Sequence, residues 1–468
     1  MTQATHPPNQ RPERSPDAAL LFPSPVHRAG PELCAIPRDG LLLGRGARVF
    51  EAPFDDATLA VRHAEIRIEG AQIVVRDLDG GARTRVNGAA LLGPHPLEEG
   101  DVLRIGETVL LFTTRPLARA AEPTRTGVSA ELVGQTPSME AVRKSVEAVA
   151  PHPRTVVVTG ETGTGKEVVA RLLHGLSGRA GPFVAVNCSG FTEGLLASEL
   201  FGHLRGAFTG AVAEEQGLFR AARGGTLLLD EAGDLPLSQQ ASLLRVLETR
   251  EVRPVGSARG VAVDVRVIAA SNRELIGLVQ QGVFRADLYA RLAQWVIRLP
   301  PLRDRRADIP AIARALLVRL GEAGRALGPD LEEAVLVHPW PLNVRGLMNV
   351  LSVAAIASPP GGRLELGAEV KAALQDNLVE QPPTLVHVPS VVLDRSALEA
   401  LLVRFGGRVA ESARQAGISR PKLYRLLWAE GLDPAAFRRP GRASMDGPAP
   451  AEEEPEEPEQ GAGDGRPR

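Results

Sequence analysis

TVVVTGETGTGKEVVARLLHGL, residues 155–176, is the stretch whose reading decides the fold. It opens on a β-branched run with no polar alternation, the pattern of a strand buried on both faces of a parallel sheet. Gly160, Gly163 and Gly165 then punctuate it, and an amphipathic helical pattern starts at Lys166. Glycines let backbone fold round phosphates with its N–H groups pointing inward, and a helix N-terminus adds partial positive charge. The chain has only four lysines, Lys144, Lys166, Lys371 and Lys422, so one placed here is informative. Gly160, Glu161, Thr162, Gly163, Thr164, Gly165, Lys166 and Glu167 therefore form the expected phosphate site, with Lys166 facing the β- and γ-phosphates. A bare glycine-rich turn before a helix is the bland alternative.

Glu167 stands where Ser or Thr usually meets the magnesium, so the metal must be held from elsewhere. GTLLLDE at 225–231 supplies the means. Asp230 ends an apolar strand and is expected to hold Mg²⁺; Glu231 is placed to polarise an attacking water. Acidic residues at strand ends are usually turn formers. Behind a phosphate-binding loop the functional reading prevails.

The rest of the chain is organised around this α/β core. At 468 residues and 44% apolar composition it has material for two or three domains. No run reaches the ~18–20 apolar residues of a membrane span, and the first residues lack the apolar core of a signal peptide. The expectation is a cytoplasmic protein with no membrane partner. Cys34 and Cys188, the two cysteines, allow neither a disulfide framework nor a zinc spacing. A net charge of −2 excludes a polycation coating nucleic acid, so any DNA contact must be a local patch.

Residues 1–28, proline-rich and aperiodic, are expected to be disordered. From 29 to 116 short apolar runs alternate with turn residues, as in a small β-sandwich; 117–131 reads as a linker. The α/β domain with a helix-rich lid fills 132–375, a second linker 376–392, a compact helical unit 393–438, and a solvated acidic tail 439–468. Within the helical unit, ARQAGISRPKLYRLL at 413–427 has helix-turn-helix spacing. Ser419 is an N-cap, Pro421 is tolerated in the first turn, and Leu423, Leu426 and Leu427 share a buried stripe. Ser419, Arg420, Lys422 and Arg425 are the expected DNA contacts, and a plain helical hairpin with a solvated basic face is the alternative.

From about 132 to 358 the chain resembles the AAA+ domain of bacterial enhancer-binding proteins, the activators of sigma-54 RNA polymerase. GETGTGKE at 160–167 matches that family's P-loop, glutamate included. ELFGHLRGAFTGA at 199–211 is more specific: Gly206, Ala207, Phe208, Thr209, Gly210 and Ala211 match the family's sigma-54-contacting loop. Flanking glycines suit a hinge there, and Phe208 and Thr209 offer one apolar and one polar contact.

The resemblance implies further roles. Asn187 matches the residue that holds the catalytic glutamate inactive, here Glu231; Asn272 matches the sensor of the γ-phosphate. Arg285 and Arg291 match arginine fingers acting on a neighbouring subunit, and Arg345 in WPLNVRGL matches the lid's sensor arginine. In that last motif Leu342 replaces the family's usual glycine and Gly346 its glutamate. The implied cofactors are ATP and Mg²⁺. The implied partners are sigma-54 with its RNA polymerase holoenzyme, an upstream DNA site, and other copies of the chain in a ring, a hexamer. RFGGRVAESARQAGISRPKLYRLLWAEGL resembles the Fis-type C-terminal domain of the same activators.

The N-terminal sandwich resembles a forkhead-associated (FHA) domain through LLLGRG at 41–46, VRHAEI at 61–66, TRVNG at 84–88 and LEEGDVLRIG at 97–106. Arg45 matches the family's phosphate-contacting arginine and His63 a structural histidine. Ala60 and Ala82 replace the phosphate-binding serine and an asparagine. Each loses a hydrogen bond worth about 1.5–3 kcal/mol to a charged phosphate. Two readings follow: a sensor of a kinase-modified threonine on a phosphoprotein, or a phosphate-independent docking or ring-controlling module, which is favoured.

Overall fold

The computed structural model describes residues 19–22, 32–45, 47, 56–79, 83–114, 131–191, 193–208 and 211–378, then 395–407, 409, 412, 427, 432 and 434–437. They belong to two compact units, Met1–Glu380 and Gln381–Arg468.

The N-terminal part of the first unit is a sandwich of two antiparallel sheets. The six-stranded sheet runs in the order Glu32–Ala35, Ala19–Phe22, Thr108–Thr113, Val102–Ile105, Thr84–Val86, Ala89–Ala90. Facing it is a four-stranded sheet of Leu41–Leu43, Ala64–Glu69, Gln72–Asp77 and His95–Pro96. Ala19–Phe22 corrects the expectation of disorder through residue 28: its four residues lie between two strands, pairing Leu20 with Phe112 and with Cys34. Leu20 is fully buried.

Thr108–Thr113, TVLLFT, is buried at every position. A strand covered on one face alternates, so this one must be covered on both. Leu110 and Phe112 enter the sandwich core, while Val109 and Leu111, with Val102, join the core of the helical lid.

The central domain carries a five-stranded parallel sheet in the order Phe183–Asn187, Thr226–Asp230, Arg266–Ser271, Val156–Thr159, Trp295–Arg298. The helices Pro137–Val149 and Lys166–Gly175 and the sheet enclose Val156, Val158, Leu228 and Ile268. Arg266 is buried in this sheet, 2% exposed, and its guanidinium donates to the carbonyls of Val149, Ala150, Leu173 and Arg154. Three of those carbonyls close the C-terminal ends of the two helices, where a cation complements the helix dipole. Burial pushes its pKa down to about 10, so it stays charged at neutral pH.

Gly225 lets the Asp-Glu strand start hard against the neighbouring chain. A Cβ there would lie 2.0 Å from the Pro182 carbonyl oxygen and 2.6 Å from the Gly181 carbonyl carbon. Both obstacles are backbone and cannot rotate away. Gly225→Ala is therefore expected to lower the melting midpoint of the ATPase-domain transition in calorimetry by about 5–10 °C. An unchanged midpoint would mean the loop moves freely.

The lid packs Ile309–Arg319, Pro329–Val337, Asn343–Ala357 and Ala368–Asp376 around the fully buried Trp340. Trp340 Nε1 donates to Val335 O, and its backbone N–H donates to His338 Nδ1. No described helix is long and apolar enough to cross a membrane.

In the second unit the helix Arg395–Arg404 and the turn Pro434–Phe437 surround Leu398, Leu402, Val409, Leu427 and Leu432. Leu427 is fully buried, as its place on the inner stripe requires. Leu423, Leu426 and the expected DNA contacts Ser419, Arg420, Lys422 and Arg425 lie outside the described residues.

Candidate nucleotide site

The strand Val156–Thr159 delivers the chain to Gly160, and left-handed backbone at Gly160, Gly163 and Gly165 wraps it back to the helix at Lys166. The loop borders a cavity of ≈ 860 Å³, of the size that encloses a small-molecule ligand. Thr162 to Val168, Asn187, Asp230 and Glu231 line its polar end. Val133, Ile312, Leu316, Val344 and Met348 form an apolar end suited to a flat base. Arg345 lines it from the lid. The apolar wall was not singled out from the sequence, since its residues come from three segments far apart in the chain.

Lys166 is 8% exposed and its ammonium donates to Gly160 O (2.9 Å) and Glu161 O (3.3 Å). Burial lowers its pKa below the ordinary lysine value, against the pull of Glu231 and Asp230. Glu231 sits in left-handed backbone (φ 51°), a conformation that costs a non-glycine residue about 1–2 kcal/mol. Strain of this kind concentrates where geometry is functional. Burial raises its carboxyl above the ordinary glutamate range, while the Asn272 N–H, bonded at 3.1 Å, pulls the other way. Beneath them Cys188 is pushed up to about 12 by burial, which leaves it an inert thiol.

Other expected residues are placed less simply. Glu161 keeps its backbone in the loop, but its side chain does not line the cavity and pairs with Arg303 of the lid. Glu167 pairs with Arg171 one turn on, at 2.6 Å. Asn187 does not hydrogen-bond Glu231: its side-chain oxygen accepts from Ser189 N–H and Ser189 Oγ, capping the turn Cys188–Gly190. The turn fixes the amide oxygen, whereas a pairing with the Glu231 carboxylate would use the Asn187 Nδ2 donor. Asn272 meets Glu231 through its backbone, and its side-chain oxygen is buried without a partner. Arg285 and Arg291 do not line the cavity. Arg285 pairs with Asp287 and Arg291 donates to Leu247 O. Leu342 and Gly346, the two departures in the lid motif, pack on one another: a Cβ on Gly346 would lie 3.3 Å from Leu342 Cβ and 2.8 Å from Asn377 Oδ1.

The loop 206–211 is anchored at its base. Gly206 has φ 79°, and its N–H donates to Ala211 O. Ala211 is 7% exposed, whereas Phe208 is 44% exposed, with its ring against His203. Thr209 and Gly210 lie outside the described residues.

On the sandwich, Arg45 is exposed and its N–H donates to Ala60 O. His63 is fully buried and its Nδ1 accepts from Ala60 N–H, a structural role. Gly46 and Ala82 lie outside the described residues.

A phosphate-binding loop closing a parallel sheet, an acidic pair at a neighbouring strand end and a helical lid define a P-loop ATPase of the AAA+ class. Comparison with known families is specific. Residues 132–298 match the sigma-54 interaction domain, and residues 41–106 the FHA domain. The transcriptional regulatory protein GlrR of Escherichia coli K12 is 40% identical over 322 residues, covering 66% of this chain and 69% of GlrR. ZraR of Klebsiella oxytoca is 42% identical over 306 residues, covering 63% of this chain and 68% of ZraR. A crystal structure of NtrX from Brucella abortus in complex with ATP is 34% identical over 64% of this chain and 70% of that one, with a TM-score of 0.48. The chain belongs to the family of sigma-54-dependent transcriptional regulators, with an FHA domain ahead of its AAA+ ATPase domain.

Proposed function

We propose that this regulator is a mechanoenzyme: ATP hydrolysis in a ring of subunits, a hexamer, drives the 206–211 loop against sigma-54 and opens the stalled promoter complex. One observation carries the reading. The chain leaves the cavity at Asn187 and leads, within about twenty residues of sequence, by the turn Cys188–Gly190 and the helix Glu193–Phe201 to the loop that bears exposed Phe208. A change at the nucleotide is thus one short lever away from the contact surface.

In this reading Lys166 and the N–H groups of residues 160–167 hold the triphosphate, and Glu231 accepts a proton from the attacking water. Asp230 lines the cavity beside the loop, and among the described residues no three acidic, histidine or cysteine side chains converge. A single carboxylate suits Mg²⁺, which keeps several waters and takes phosphate oxygens; Asp230 would hold it, and it would neutralise developing phosphate charge. Asn272 reads the γ-phosphate, Arg345 engages it from the lid, and Asn187 gates Glu231 in another nucleotide state. Arg285 and Arg291 act in trans on a neighbour's nucleotide. Ser419, Arg420, Lys422 and Arg425 hold the ring at upstream DNA. The test is open-complex formation at a sigma-54 promoter, read by permanganate reactivity. Strand opening is expected with ATP and not with a non-hydrolysable analogue; opening with both would contradict a hydrolysis-driven machine.

The FHA domain is read as controlling the ATPase through the lid. Arg104, with a side chain 13% exposed, bonds Asp330 (2.5 Å) and the buried Glu333 (3.0 Å); Arg85 lies 3.4 Å from Glu333. Arg104 holds the Asp330 carboxyl below its ordinary range. Removing the Arg104 guanidinium takes from the buried Glu333 its nearer partner and leaves it only Arg85 at 3.4 Å. Arg104→Ala is expected to release the sandwich from the lid and give the ATPase rate of a chain lacking residues 1–130. A variant with the parent's rate, while that truncation differs from the parent, would refute the coupling.

A further inference from the structure

The phosphate-binding loop is gripped from behind by side chains that the ATP reading does not use. Glu161 turns away from the cavity, and Arg303 meets it in a two-pronged pair, Nη1 to Oε2 at 2.8 Å and Nη2 to Oε1 at 2.5 Å. Asn343 completes the arrangement. It is fully buried, and its Nδ2 donates to Glu161 Oε2 (3.1 Å) and to Thr162 O (3.0 Å). Its Oδ1 accepts from Leu302 N–H at 2.7 Å. The next residue, Val344, donates its N–H to Gly163 O at 3.0 Å. Asn343 adopts φ 51°, left-handed backbone that asparagine tolerates better than most residues. Bidentate geometry fixes direction as well as distance, so Arg303 holds the loop in one orientation. The Arg303 guanidinium keeps the Glu161 carboxyl below the ordinary glutamate range.

The two lid elements in this grip also lead into the cavity. Asn343 opens the helix that carries Arg345 two residues on. Arg303 begins the segment whose Arg305, 3% exposed, donates to Thr164 O at 3.2 Å.

We propose that Glu161, Arg303 and Asn343 form a clamp that sets the phosphate-binding loop against the lid, so that Lys166 and Arg345 engage the same triphosphate. Glu161 and Arg303 are positioning residues for ATP hydrolysis: neither lines the cavity, and they act through the backbone of residues 161–163. The inference rests on the reading of the cavity as the ATP site.

A double-mutant cycle on the full chain tests it, with Glu161→Gln, Arg303→Gln and both together, assayed for ATP KM and kcat. The pair is about two-fifths exposed, so its loss is modest and the fold survives. Each single change is expected to raise KM about five- to tenfold with kcat within about threefold. The double variant should be no worse than either single, and Arg303→Lys should recover part of the loss. KM unchanged in both singles, additive losses in the double, or a fall in kcat alone would each overturn the clamp. If the parent chain itself shows no ATP turnover, the reading of the cavity fails instead, and the two failures are thereby separated.

Discussion

Replacing Glu231 with glutamine leaves a protein that binds ATP and turns it over only at a small residual rate. The side chain is the one carboxylate of the acidic pair held by Asn272 N–H at the cavity wall, and glutamine keeps that acceptor while losing the base. A positioned general base contributes about 10²–10⁴ in rate, so kcat should fall by at least about a hundredfold. ATP affinity, read by equilibrium binding, should change little, because Lys166 and the loop backbone are untouched. The parent's pH dependence carries the same signature. Burial raises the Glu231 carboxyl, and the base works only when ionised. The rate should therefore fall on acidification at a pH above the ordinary glutamate range, and the residual rate of Glu231→Gln should lack that limb.

The stability consequence has a definite sign. A carboxyl whose folded pKa is raised contributes stability below its unfolded pKa, and loses it as pH rises through the folded value. At neutral pH the ionised group is a cost, so Glu231→Gln should melt no lower than the parent. A variant that is inactive and also melts much lower would point to a structural role.

Thr209→Ala should abolish transcription activation and spare ATP hydrolysis. Gly206 and Ala211 close the base of the loop by a backbone hydrogen bond, and Phe208 stands 44% exposed beside it. None of these residues lines the nucleotide cavity. Removing one hydroxyl and a methyl from the residue after Phe208 is therefore expected to leave the catalytic geometry alone. Open-complex formation is expected to drop more than about tenfold, the scale of a lost contact at the centre of an interface. ATPase activity should stay within about twofold. Full activation by the variant would remove the 206–211 loop from the sigma-54 contact. Loss of both activities would place Thr209 in the ATPase instead.

What could be read from the sequence divides along physical lines. Strand, glycine turn and helix at 155–176 are contiguous, so their geometry follows from local preferences, and the cavity forms where they meet. The strand Ala19–Phe22 is different. Nothing local distinguishes ALLF in a proline-rich stretch, and its partner Thr108–Thr113 lies far along the chain. LRDRRAD at 302–308 is rich in charge, yet Arg305 is 3% exposed and Asp308 1%. Asp308 accepts from Gln135 N–H, Thr136 N–H and Thr136 Oγ, partners that only the folded chain brings near. TVLLFT reads in sequence only as one apolar run of the sandwich; that both its faces are covered emerges with the lid that packs on it. For Asn187 the family resemblance pointed to Glu231, and the nearer Ser189 holds it in this conformation.

The central claim is that the state of the nucleotide decides whether the loop engages sigma-54. The most direct measurement is capture of sigma-54 by the purified full chain, with Mg-ADP alone and with a metal fluoride that mimics the transferring phosphate. The account predicts capture with the mimic only, lost in Thr209→Ala. Equal capture in both nucleotide states, or no capture by a protein that hydrolyses ATP, would contradict it.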